Sequence, residues 1–181
     1  FCSKGKKMSD EKYRAILEKD PTDTQAFVAL CSSAERNNDY QYLAQLYDFR
    51  AQVIADTKEI ADLFFKSGEI YLDKLGETAK GVESLLKGFE SDRTHAGIGD
   101  RLDAIYREAG DWESAVQIIE QRLDALSGAD ANGTKTIIRS DLHQQAGEIW
   151  EKVYADRKRA LGHYKSAIEL DKTNILALYG A

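Results

Sequence analysis

The sequence predicts an all-α protein built from antiparallel helix–turn–helix hairpins. Three observations carry that expectation. Apolar residues recur at helical spacing along almost all of the 181 residues, and no stretch alternates with the period of a strand. One proline with 13 glycines is too few turn formers for a β-sandwich or barrel. Apolar residues make up 43% of the chain and its charges are nearly balanced, 25 Lys and Arg against 31 Asp and Glu, so a sizeable core is within reach and bulk disorder is excluded.

The elements follow in order. After a tail at 1–8, Tyr13, Ile16 and Leu17 mark the core face of a helix near 9–19. Asp20-Pro21-Thr22-Asp23 ends it and caps the next, because proline cannot continue a helix and Asp or Thr accepts its orphan N–H bonds. Phe27, Leu30, Cys31 and Ala34 then share one face of a helix over 23–37. Asn37-Asn38-Asp39 turns the chain into 39–55, where Leu43, Leu46, Tyr47 and Ile54 align. Ile60, Phe64, Gly68 and Tyr71 define 57–74, and Gly76-Glu77-Thr78 leads into 78–91 with Val82, Leu85, Leu86 and Phe89. Helices over 95–109 and 111–127 meet at Gly110-Asp111. Ser127 to Thr134 is a small polar loop, the internal segment expected to be most mobile. Helices over 135–155, 157–170 and 173–181 complete the chain.

The net charge of −6 is spread evenly, and the one basic cluster, Lys4 with Lys6 and Lys7, lies in the tail. Nucleic-acid binding needs clustered cations, so it is not expected. Two cysteines make no disulfide framework; Cys31 falls on an apolar face and reads as a buried, inert thiol. Cys2, followed by Ser, Lys and Gly, suits a lipid-anchored bacterial N-terminus, but Phe1 is a poor residue before such a cleavage site. No apolar run approaches the roughly 18 residues that span a bilayer. Cytoplasmic placement is the expectation, with a periplasmic or lipid-anchored bacterial protein as the alternative.

Chemistry is sparse. His95, His143 and His163 sit in no metal-ligand spacing; His143 takes a packing slot and the other two read as surface residues, so no metal is expected. Carboxylate pairs such as Glu69 with Asp73 and Glu148 with Glu151 arise by chance in so acidic a chain. Gly97-Ile98-Gly99-Asp100 follows no strand and makes no phosphate loop. Neither a catalytic residue nor a cofactor is expected.

Self-similarity is the strongest signal. Phe64-x2-Ser67-Gly68-x2-Tyr71, followed by Gly81, Leu85 and Gly88, matches His143-x2-Ala146-Gly147-x2-Trp150, followed by Ala160, Tyr164 and Ala167. Leu30-x3-Ala34 with Asn38-Asp39-Tyr40, Leu43 and Tyr47 matches Leu102-x3-Tyr106 with Gly110-Asp111-Trp112, Ala115 and Ile119. These residues resemble the tetratricopeptide repeat, a 34-residue helical hairpin with small residues where its helices cross and large ones between neighbours. The alternation, odd units like odd and even like even, fits a duplicated two-unit block. Units fall near 24–56, 57–92, 93–128 and 134–171, after a half repeat at 9–20 and before a partial helix at 173–181. The chain therefore reads as a fragment of a longer bacterial repeat protein. Arg50 and Arg122 stand where the family has a small residue; their stems are expected to lie along the core and their heads to pair with carboxylates. Pro21 takes the family's inter-repeat proline slot, whose equivalents are Ala55, Arg93, Ser127 and Lys172.

The resemblance implies a right-handed superhelical α-solenoid whose first helices line a concave groove. Mapped onto this chain, the groove-facing residues are Gln25, Val28, Ser32, Glu35 and Arg36; Asp62, Phe65, Glu69, Leu72 and Asp73; Gly97, Asp100, Ala104, Arg107 and Glu108; and Asp141, Gln144, Glu148, Glu151 and Lys152. Acids outnumber bases nine to three in that set, with an apolar patch at Phe65 and Leu72. The lysines and asparagines by which chaperone adaptors of the family clamp a terminal carboxylate are absent. The expected function is a protein-interaction scaffold for a basic or amphipathic peptide or protein. The alternatives are a self-assembling module that stacks through its terminal repeats and a regulatory repeat domain of a larger enzyme.

Overall fold

The computed structural model describes residues 3–128 and 132–180, with only the backbone for residues 3–9. Cys2, the centre of the polar loop at 129–131 and Ala181 lie outside the described residues. Ten helices are present and no strand among the described residues: α1 (Ser3–Lys19), α2 (Thr24–Asn37), α3 (Tyr40–Val53), α4 (Thr57–Asp73), α5 (Thr78–Ser91), α6 (Ala96–Glu108), α7 (Trp112–Ala125), α8 (Thr134–Lys152), α9 (Arg157–Leu170) and α10 (Ile175–Gly180). Every helix expected from periodicity forms, most within two residues of its expected ends; α1 begins at Ser3 rather than near 9, and α8 ends three residues early. The chain forms two compact units, Phe1–Ile98 and Gly99–Ala181.

The tight turns share one device. A left-handed residue is followed by an acid that begins the next helix: Asn38-Asp39, Gly76-Glu77, Gly110-Asp111 and Ala155-Asp156. Left-handed backbone suits glycine and asparagine, whereas Ala155 at φ 53° bears a Cβ that opposes it. Asp39, Asp111 and Asp156 each accept a hydrogen bond from the backbone N–H three residues on, which satisfies one orphan donor of the helix they open. The N–H of the acid reaches back to close the preceding helix. It spans five residues in the turns after α2 and α6, to Ala34 and Tyr106, and six after α4 and α8, to Tyr71 and Trp150.

Three junctions between hairpins use a second device, Asp-x-Thr. Asp20, Asp92 and Asp171 accept from both the N–H and the hydroxyl of Thr22, Thr94 and Thr173, at 2.6 to 3.0 Å. The next residue caps the following helix through a different side chain each time: Asp23, His95 and Asn174 accept from the N–H groups of Ala26, Ile98 and Ala177. Pro21, Arg93 and Lys172 occupy the middle of this turn. Proline is dispensable there because the Asp-x-Thr bonds hold the corner.

In the first unit, α4 and α5 cross at two glycines. A Cβ on Gly81 would lie 2.5 Å from Leu72 Cγ and 3.1 Å from the Gly68 carbonyl oxygen, and one on Gly68 would lie 2.9 Å from Leu85. Only hydrogen fits at either position. Leu30, Leu43, Leu46, Leu63 and Phe64 form the core above this crossing. Tyr71 of α4 reaches back to donate to Asp48 of α3 at 3.0 Å. Buried Arg50 donates to the Thr22 carbonyl (2.6 Å) and the Thr24 hydroxyl (3.1 Å), with Glu59 only at 3.9 Å. Its head thus closes the start of α2 more than it pairs with a carboxylate.

The second unit repeats the plan with other residues. At Gly147 a Cβ would lie 2.6 Å from the Tyr164 ring, so tyrosine fills the space that Leu85 fills in the first unit. Arg122 lies across Gly99, where a Cβ would be 2.5 Å from its side chain, and donates to Asp100 at 2.8 Å. This is the carboxylate pairing expected for it. Ser140 donates to the Ala167 carbonyl and accepts from Asn174, which ties α8, α9 and the start of α10 together.

Glycines in contact and in the open should respond oppositely. Gly81→Ala should destabilise the chain by about 1–3 kcal/mol through overpacking. Gly162, inside α9, has nothing within 4 Å of the point a Cβ would occupy. Gly162→Ala should therefore gain about 0.5–1 kcal/mol. Urea unfolding of the two variants checks both signs.

Candidate functional site

In the first unit the expected binding positions lie on α2 and α4. Gln25, Val28, Glu35, Arg36, Asp62 and Asp73 are exposed, and Ser32, Phe65, Glu69 and Leu72 are half-buried. Side chains from other helices join them. Tyr47 of α3 donates its hydroxyl proton to Glu35, and the ammonium of Lys66 stands 5.8 Å from the Tyr47 ring centre. Periodicity places Tyr47 in the core and is silent on Lys66, so helical phase alone marks neither as part of the surface.

Cys31 lies beneath this group. Burial pushes its thiol up to about 12, the Glu35 carboxylate adds to the rise, and Lys66 opposes it. Burial also pushes the Tyr47 phenol up to about 12, with Cys31 and Glu35 adding to it. The thiol is an inert packing group, as its place on an apolar face implies.

Asp62 and Phe65 converge on His95. Its Nδ1 accepts from the Ile98 N–H at 3.1 Å, so the proton sits on Nε2 and is donated to Asp62 at 3.0 Å. The Phe65 ring lies 5.2 Å from the imidazole, centre to centre, and meets Gly97. His95 is therefore a half-buried helix cap rather than the surface residue expected. Leu72 covers Gly81 of α5. The half-buried apolar residues of this face are thus engaged in packing on one side and open on the other.

In the second unit the corresponding polar groups pair locally. Asp100 holds Arg122, Arg107 holds Asp103 at 2.7 Å, and Glu151 accepts from the Tyr164 hydroxyl at 2.9 Å. Buried Gln144 donates to Glu148 at 2.7 Å, and Lys152 stands 3.5 Å from the same carboxylate. Ala104, Glu108 and Asp141 are exposed. Each of these acids, Glu108 and Asp141 apart, has a named partner.

His143 and His163 do not behave as sequence spacing suggests. The rings face each other from α8 and α9, Nδ1 to Nδ1 at 3.1 Å with centres 5.3 Å apart, and both are half-buried. Burial, with His163 and Arg139 adding, pushes His143 down to about 4, and burial lowers His163. Twenty residues separate them, so the hairpin brings them together and no local motif announces the pair. Among the described residues no three or more His, Cys, Asp or Glu side chains form a metal-binding group.

No protein-family model matches the chain, and no curated protein matches it either. Solved structures do match. MamA shares 16% identity, with 92% of this chain and 88% of that one covered at a TM-score of 0.51. BtubC from P. vanneervenii shares 18%, covering 93% and 71% at 0.50. The C-terminal part of a TPR repeat-containing protein from Cytophaga hutchinsonii shares 19%, covering 94% and 65% at 0.54. The chain is similar to these proteins in fold, and that fold is the tetratricopeptide-type array of helical hairpins expected from its repeats.

The buried thiol yields a chemical test. In a Cys2→Ser background, Cys31 should resist a thiol reagent at about pH 8 while folded and react in urea. The unfolded chain releases the Cys31 proton first, near 9.0, and the folded chain holds it to about 12. Stability should therefore be full below the lower value and fall as pH rises between the two. Alkaline melting curves of Cys31→Ala, which removes that group, should fall less steeply.

Proposed function

We propose that the chain is a non-catalytic protein-interaction scaffold that captures a basic, amphipathic peptide on the α2 and α4 face of its first unit. The observation that carries this reading is the composition of that face. Glu35, Asp62, Glu69 and Asp73 lie on the same two helices as the half-buried Phe65, and Arg36 and Lys66 are the exposed cations among them. Such a face combines an apolar anchor with an excess of negative charge, which suits a helix or extended segment with lysines flanking an apolar side chain. Helical-hairpin neighbours such as MamA agree with a scaffold in general terms, and the partner chemistry comes from this chain alone.

Charge reversal tests it. The native chain should bind short Lys-rich amphipathic peptides in fluorescence anisotropy and ignore Glu-rich controls. Affinity should fall as salt rises from about 0.05 to 0.5 M, since the attraction is screened. Glu69→Lys with Asp73→Lys should weaken binding more than about tenfold at unchanged ellipticity. Equal binding of acidic peptides would refute the proposal.

Self-association is a second reading with its own observation. Ile175, Leu176, Leu178 and Tyr179 of α10 are 51 to 87% exposed, an apolar surface open to a second copy. Light scattering should then show mass rising with concentration, and Leu176→Lys should suppress the rise. A monomer at all concentrations removes this reading.

A further inference from the structure

The paired histidines carry an inference beyond peptide binding. His143 and His163 occupy the positions that Phe64 and Ser84 hold in the sibling hairpin, 79 residues earlier in both cases. There a phenyl ring and a small hydroxyl, both buried, serve packing. In the second unit both members of that pair are imidazoles. Packing alone asks for neither.

We propose that His143 and His163 form a two-imidazole chelate for a late first-row divalent metal ion such as nickel, copper or zinc. The geometry fits. With metal–nitrogen bonds of about 2.0–2.1 Å, two ligands at a right angle stand about 2.9 Å apart and two at the tetrahedral angle about 3.3 Å. The observed Nδ1 separation of 3.1 Å falls between them. In the metal-free pair one Nδ1 donates its proton to the other. Moving that proton to Nε2 of the same ring frees both Nδ1 lone pairs with no net change in protonation, and rotation of the two rings then aims them at one ion.

The surroundings leave room for the remaining ligands. The pair opens into a cavity of about 340 Å³, lined also by Arg159, Gly162 and Ser166. Gly162 presents no side chain there, so water reaches the open coordination positions. Arg159 stands 3.4 Å from Asp156 and stacks on Trp150 at 4.3 Å, which engages its charge. Arg139, on the same face of α8 as His143, adds positive potential. Two neutral ligands beside that charge make a micromolar site, not a structural zinc centre. Imidazoles without a carboxylate select against magnesium and calcium.

Isothermal titration of the full chain tests the site. Nickel and zinc should bind one ion per chain in the micromolar range, and magnesium should not bind. The double substitution His143→Phe with His163→Ser restores the sibling's residues and so preserves packing; it should weaken nickel binding more than about tenfold. His163→Gln alone should do the same at unchanged ellipticity. Absence of nickel and zinc binding by the native chain, or unchanged affinity in both variants, overturns the proposal.

Discussion

The close approach of paired helices governs this fold. A hairpin of two short amphipathic helices buries one face and leaves the other bare, so it persists only if its helices pack tightly and a neighbour covers what remains. Tight packing requires the backbones to meet, and in the first unit Gly68 and Gly81 place each other's carbonyl oxygen within about van der Waals reach of a missing Cβ. Leu72 and Leu85 fill the space on either side. Gly147, Ala160 and Tyr164 solve the same problem in the second unit with a larger ring over a single glycine. Given the small residues, the turn lengths and cap positions follow, because the chain must reverse within a few residues wherever helices lie that close.

Helix positions are legible in the sequence because burial imposes a period, and a period can be read without knowing what lies opposite. Ten expected helices form, and repetition alone marks the glycines at their crossings. Junction chemistry is legible only in part. Asp20-Pro21-Thr22-Asp23 reads as a proline stop with capping residues, yet the lasting feature is Asp-x-Thr, which recurs without proline at Asp92 and Asp171. Its bonds span two residues and leave no periodic trace. His95 hides for the same reason: it caps its helix as Asp23 and Asn174 do at the same position, with a side chain not usually counted among helix caps.

The candidate surface shows a different limit. Helical phase indicates which residues share a face, so Glu35, Asp62, Phe65, Glu69 and Asp73 can be named from sequence. It does not indicate which side chains arrive from elsewhere. Tyr47 reaches Glu35 from α3, and His95 occupies Asp62 and one side of Phe65 from beyond α5. Arg50 and Arg122 differ likewise. The same residue in the same repeat position closes a turn through Thr22 and Thr24 in one unit and pairs with Asp100 in the other. Gly99 stands where Phe27 stands in the earlier copy, 72 residues before. Phe27 leaves Arg50 against a ring, at 5.4 Å, and Gly99 lets Arg122 cross the backbone.

Such pairs separate what the fold needs from what it merely tolerates. Positions that stay small between copies, such as Gly68 with Gly147 or Gly81 with Ala160, answer to the helix crossing. Positions that keep their place but change their chemistry answer to something else. Tyr71 commits its hydroxyl to Asp48, while its counterpart Trp150 has a buried indole N–H without a hydrogen-bond partner and lies against Arg159. Phe64 and Ser84 are both buried, while His143 and His163 hold a hydrogen bond that one of the two rings must donate. Both changes fall on the α8 and α9 hairpin, and both alter which polar atoms the helices present. Each hairpin must keep its own crossing tight, while positions beside the crossing are free to differ. The second unit thus carries two imidazoles where the first buries a phenyl ring and a small hydroxyl.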